Sequence, residues 1–165
     1  MAAGKTYEPI ATTTLGSTTN SYTFSSIAGT YTDLIIVHSG LATGGTGLRL
    51  RFNGDTGSNY SNTILFGTGT SAGSTRETNI TSTRMTYESG GGTTDVGVRI
   101  ANIQNYSNAT TYKTVITRGN RAATGVDAIV GLWRNTAAIT SVTVFGADFD
   151  MAAGTTLTLY GISAA

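Results

Sequence analysis

Apolar residues recur at every second position along much of this chain, and no helical spacing runs beyond about a turn or two. Leu48, Leu50 and Phe52 alternate with arginines, and Val96, Val98 and Ile100 repeat the pattern. So do Val126, Ala128, Val130 and Leu132, and finally Leu157 and Leu159. A period of two belongs to a strand with one face buried. YTDLIIVHSG instead carries a continuous apolar run from Leu34 to Val37, which suits a central strand or one covered on both faces. One residue in five is threonine, whose branched side chain fits a pleated surface, while Lys, Glu, Gln and Met are scarce.

Clusters rich in Gly, Ser, Asn and Asp punctuate these runs: SIAGTYTD, GLATGGTG, NGDTGSN, GTGTSAGS, ESGGGTTD, NYSNATT, RGNRAATG and DMAAGTT. Their spacing predicts about nine to eleven short strands in an all-β, antiparallel β-sandwich that is jelly-roll-like. At 165 residues the chain is one domain's worth. The expected organisation is a flexible N-terminal arm over 1–6 and a single sandwich over 7–165.

Charge removes several function classes. The net charge is +1, only 12% of residues are charged, and eight arginines are scattered along the chain, so no basic field awaits nucleic acid. Without cysteine there is no disulfide, thiolate metal site or cysteine nucleophile. No apolar run is long enough to span a bilayer, and the start, MAAGKTYEP, lacks the blocks of a secretory signal; no membrane partner is expected.

Each catalytic motif lacks its structural context. Gly69-Thr70-Ser71-Ala72-Gly73 fits the nucleophile elbow of serine hydrolases, and Gly67 to Ala72 fits a dinucleotide fingerprint, but both need a helix that STRETNITS does not supply. The single histidine, His38, falls on an apolar strand face with Leu34 and Ile36. Asn53, Asp55, Gly57 and Asn59 mimic a calcium loop, yet the glycine is misplaced and the closing glutamate is absent. A turn is the better reading, since Asn and Asp accept local backbone hydrogen bonds and Gly takes positive φ. Asp148 and Asp150 share one face of an extended segment, with no sign of the cleft a glycosidase builds between two carboxyls. The chain is therefore expected to be no enzyme and to use no cofactor and no metal. Sequons at Asn59, Asn79, Asn105 and Asn108 follow from a composition rich in Ser and Thr and predict no glycan.

Aromatic residues offer contact surface instead. Trp133, Tyr60, Tyr106 and Tyr112 are the candidates for an interface or a ligand contact, because aromatic faces pack on protein partners and on the C–H faces of sugars. Asp127, Ile129 and Gly131 share the face of Trp133, which makes that face mixed; the plain alternative is that Trp133 caps the core at a strand end.

Three stretches, YTDLIIVHSG (31–40), LRLRFNGDTGSNYSNTILFGTGTSAGS (48–74) and SVTVFGADFDMAAGTTLTLYGISAA (141–165), resemble segments of virion structural proteins of tailed bacteriophages. Such proteins include small capsid decoration, or cement, proteins and domains of tail-fibre adhesins. The segment from Arg76 to Thr124 fits that pattern less well. The resemblance implies a jelly-roll domain that assembles on the virion without catalytic residues. Its partners would be the major capsid protein and copies of itself, a trimer being favoured, or for a fibre tip a host surface glycan. No collagen-like, coiled-coil or β-helical shaft accompanies the domain in this sequence, which favours decoration of the capsid exterior over a place in the tail.

Overall fold

The computed structural model describes residues 6–45 and 47–163; residues 1–5 of the expected arm lie outside the described residues, and Thr6 is an exposed bend. Twelve strands form among the described residues and no helix: β1 (Tyr7–Thr14), β2 (Ser21–Phe24), β3 (Asp33–Gly40), β4 (Leu48–Phe52), β5 (Tyr60–Gly67), β6 (Ala72–Ile80), β7 (Thr83–Arg84), β8 (Gly97–Ile103), β9 (Lys113–Arg121), β10 (Gly125–Trp133), β11 (Val142–Gly146) and β12 (Thr156–Ile162). The count passes the expected nine to eleven only through β7, which is two residues long.

All pairings are antiparallel. An eight-stranded sheet runs β1-β12-β3-β8-β9-β10-β5-β6, and a four-stranded sheet runs β2-β11-β4-β7. The chain changes sheet at each of its first four strands. As a result β3 pairs with β12 in the large sheet while β4 pairs with β11 in the small one. That is a long two-stranded ribbon rolled on itself, the winding of a jelly roll. Pro9, which has no amide hydrogen to give, sits in edge strand β1 beside a bulge.

The sheets face each other across one apolar cluster. Leu48, Leu50, Phe52, Val142 and Val144 of the small sheet meet Leu34, Ile36, Ala101, Ile103, Val115, Leu157 and Leu159 of the large one. The alternations at 48–52 and 157–159 therefore face the core as expected, and β3 lies between β12 and β8 with apolar residues on both faces.

Two alternations face the other way. Along β8, the inward residues are Gly97, Arg99, Ala101 and Ile103, while Val98 and Ile100 face outward. Along β10, Asp127, Ile129, Gly131 and Trp133 are buried, and Val126, Ala128 and Val130 are exposed. The cause is the mismatch in sheet width. The large sheet extends past the small one, and the short edge strand β7 with the irregular residues 85–90 after it covers the overhang. Irregular backbone carries unpaired N–H and C=O groups, so the strands beneath must supply polar partners.

They do so from the inner face. The Asp127 carboxylate accepts from the backbone N–H groups of Tyr87, Glu88 and Ser89 at 2.8–2.9 Å and from the Ser89 hydroxyl. Arg99 Nη2 donates to the carbonyls of Ser89 (2.7 Å) and Gly90 (3.1 Å), and Arg121 Nη1 to Gly90 (2.8 Å). Asn62 Oδ1 accepts from the Thr83 hydroxyl at 2.7 Å. Gly131 is needed directly below, because a Cβ there would run into that hydroxyl, and one on Gly119 would stand 2.7 Å from Ser89 Oγ.

Candidate functional site

The turn after β4 is a structural clasp. Asn53 and Gly54 both take positive φ, 51° and 67°, and swing the chain back beneath Trp133. Asp55 Oδ1 accepts from the Gly57 N–H at 2.8 Å; Oδ2 accepts from Asn59 Nδ2 (2.9 Å) and from Trp133 Nε1 (2.7 Å). Asn53 Oδ1 accepts from the backbone of Thr140 and Ser141, and its Nδ2 donates to the Ala138 carbonyl, tying the turn to the segment before β11. Burial pushes the Asp55 carboxyl up, but hydrogen bonds from Trp133, Asn59 and Gly57 together outweigh it and hold the group below the usual carboxylate range. Both carboxylate oxygens are thus used within the fold. The expected turn is present, and its aspartate anchors an indole.

Three of the four candidate contact residues belong to the interior. Trp133 and Tyr60 are stacked in the core with centroids 6.2 Å apart, and Phe52 lies 5.5 Å from Trp133. Tyr106 is fully buried, its hydroxyl donating to the Ala28 carbonyl and accepting from the Tyr31 N–H. Trp133, Tyr60 and Tyr106 therefore cannot present a face to a partner or sugar. Each has an apolar body in the core and a polar tip with a partner at its margin. Tyr112 alone is exposed, at 54%, in the connection between β8 and β9. Replacing Asp55 with alanine removes a charge-assisted bond to Trp133, and an expected loss of about 1.5–3 kcal/mol is measurable by urea unfolding followed through the fluorescence of this single tryptophan.

The groups considered for catalysis stay apart. His38 lies on the inner face of β3, whereas Ser71 is exposed in the β5–β6 turn, where its hydroxyl meets that of Thr68 at 3.0 Å. Four strands, β8, β9, β10 and β5, separate them, a span of roughly 20 Å at the usual strand spacing. Asp148 accepts from the Gly47 N–H, and the Asp150 N–H donates to the Thr43 hydroxyl; both serve loop geometry. Among the described residues no three of His, Asp and Glu come together as a set that could hold a metal ion.

What the structure does assemble is an apolar sheet face. On the outside of the large sheet, Leu65, Ala128, Arg118, Ile100 and Val37 form one cross-strand row. Thr63, Val130, Ile116, Asn102 and Ile35 form the next, and Gly67, Val126, Asn120, Val98 and Ser39 a third. Leu65 and Val126 are 58% exposed, Val130 50% and Ile116 43%. Arg118 lies within these rows, and the exposed Arg76 of β6 pairs with Thr63 at the end of one of them. A depression of about 410 Å³ opens among Leu65, Phe66, Val126 and Ala128. Single exposed apolar residues are ordinary; here four lie on three adjacent strands, interspersed with Thr63, Asn102, Arg118 and Asn120. Period two in β8 and β10 leaves open which face is covered, and the mixed face of Asp127, Ile129, Gly131 and Trp133 is the inner one.

No protein-family model matches the chain, and no curated protein does. Among solved structures, an alginate lyase mutant in complex with an alginate tetrasaccharide is similar over 93% of this chain and 80% of its own, at 9% identity and a TM-score of 0.34. So distant a likeness bears on neither the activity nor the ligand of this chain.

Proposed function

We propose that this chain is a non-enzymatic structural protein of the tailed-bacteriophage virion, a decoration protein that binds the capsid exterior and bridges neighbouring shell subunits and copies of itself. The observation that supports this reading is the outer face of the large sheet, where Leu65, Val126, Val130 and Ile116 stand exposed on three adjacent strands, with Arg118 among them and Arg76 at the border. A flat, weakly charged β surface buries well against another protein and gives a small solute little to hold. The long edge strand β6 adds nine residues of open backbone pairing, with charge only at Arg76 and Glu77. The sequence resemblance to virion proteins supplies the particle; the exposed rows supply the face that would meet it.

The test is co-sedimentation of the purified protein with capsids that lack their decoration. Wild type should pellet saturably with the shells, and Val130→Asp, which should cost about 1 kcal/mol of stability through lost strand propensity and leave the fold intact, should remain in the supernatant. A wild-type protein that stays monomeric at micromolar concentration and ignores the shells overturns the proposal.

A further inference from the structure

The outer face of the small sheet, on the opposite side of the sandwich, carries a second and chemically different feature. Arg49 and Arg51 alternate with the core residues Leu48, Leu50 and Phe52 and so both point outward from β4. Phe145 pairs with Arg49 across the β4–β11 ladder, and the β6–β7 turn rises beside them. Together Arg49, Arg51, Ile80, Thr81, Ser82 and Phe145 line an open cavity of about 430 Å³.

The arginines are held in place but lightly used. The Arg51 guanidinium lies over the Phe145 ring, 4.5 Å from its centroid, and Nε donates to the Thr81 carbonyl at 3.4 Å. Arg49 reaches the Ser82 hydroxyl at 3.4 Å, and its Nε, which is buried, has no hydrogen-bond partner among the described residues. The nearest acid, Glu77, is committed elsewhere: its carboxylate takes a two-point contact from Arg84 at 2.7 and 2.8 Å and stands 4.0 Å from Arg49. Asp148 also lends some negative charge to Arg49, while Arg84 repels it. Among the described residues no acid is ion-paired with Arg51, and Glu77, which stands beside Arg49, is held by Arg84.

The Arg51 guanidinium, fixed over the Phe145 ring and not ion-paired with any acid among the described residues, is a fork that can give an incoming carboxylate two parallel N–H bonds, with Arg49 beside it on the same strand face. The rest of the lining asks for more than a bare anion. Ile80 and Phe145 are apolar, whereas the exposed Thr81 hydroxyl can donate and accept, a mixture that a ring bearing both C–H and O–H edges satisfies. From this we infer that the cavity is a binding site for an acidic sugar unit, its carboxylate on Arg49 and Arg51 and its ring against Ile80, Thr81, Ser82 and Phe145. The site goes beyond the docking reading and does not depend on it. If the large sheet docks, this face is the one left turned to the medium.

The experiment is a two-dimensional amide NMR titration of the isolated ¹⁵N-labelled protein with glucuronate, with glucose as the uncharged analogue and acetate as the carboxylate without a ring. Glucuronate should shift amides of β4, β11 and residues 80–82 along a saturable curve in the millimolar range. Glucose should produce no saturable shift, and acetate should bind at least tenfold more weakly. Arg51→Gln, at a position outside the core, should weaken glucuronate at least tenfold with the rest of the spectrum unchanged, and Arg49→Gln should do the same. The inference is overturned if glucose binds as well as glucuronate, if acetate alone binds as tightly, if shifts map to another face, or if no shift saturates. None of these outcomes touches the capsid experiment, so the two readings fail separately.

Discussion

Asp127→Ala is expected to lower the unfolding free energy by about 3–5 kcal/mol, a large share of the total for a domain of this size. The aspartate is 4% exposed and organises residues 87–89 through four donors. Truncation would leave three backbone N–H groups and a hydroxyl without an acceptor in the interior, and Arg99 would lose an opposing charge beside it. Because these residues cover the overhang of the large sheet, the damage should appear first as lost hydrogen-exchange protection at amides 87–89 and then as a lower urea midpoint. Asp127→Asn keeps one acceptor oxygen and should fall between wild type and alanine. An alanine variant with wild-type protection at 87–89 would show that the clasp is not what holds this segment.

Stability should also fall steadily as pH drops from 6.5 towards 3, and His38 should account for most of the fall above pH 4. Burial, then the neighbouring Arg99 guanidinium, pushes the imidazole pKa down from 6.5 to about 3. The folded state therefore binds fewer protons than the unfolded chain across that window. The stabilising effect is whole above 6.5 and drains away as pH falls through the interval, at about 1.4 kcal/mol per pH unit and ~4 kcal/mol in all. Below about pH 4, Glu77 adds to the loss. Burial raises its pKa, but the hydrogen bonds and charge of Arg84, with Asn62 and Arg49, outweigh that and lower it. Urea unfolding at half-unit pH steps measures the slope, and His38→Leu should flatten it between 6.5 and 4. An unchanged slope in that variant would assign the acid sensitivity elsewhere.

Fold class was legible because the alternation of apolar residues, the threonine content and the turn clusters all favoured strands. Leu48, Leu50, Phe52, Leu157 and Leu159 occupy the core where period two places them. The same rule misplaces Val98 and Ile100 of β8 and Val126, Ala128 and Val130 of β10, because pattern alone does not say which face of a strand is covered. Here the covering element is an irregular segment that needs Asp127, Arg99 and glycines beneath it, so polarity on the inner face reflects backbone satisfaction and not solvent. The aromatic candidates failed for a related reason: Trp133, Tyr60 and Tyr106 reach polar partners at the margin of the core, and their amphipathic character reads the same in sequence as that of a contact residue. Arg49 and Arg51 read in sequence as two of a scattered set, although their strict alternation with Leu48, Leu50 and Phe52 places them on one outer strand face.

The proposed role requires that the exposed rows on the large sheet make protein contacts. Sedimentation equilibrium of wild type and of the Val126→Asp/Val130→Asp double variant, both checked for native β-sheet circular dichroism, measures it most directly. The wild type should sediment as a particle near three times the 17.0 kDa chain mass, and the variant as a folded monomer. Equal masses for the two proteins, at concentrations into the tens of micromolar, would contradict it.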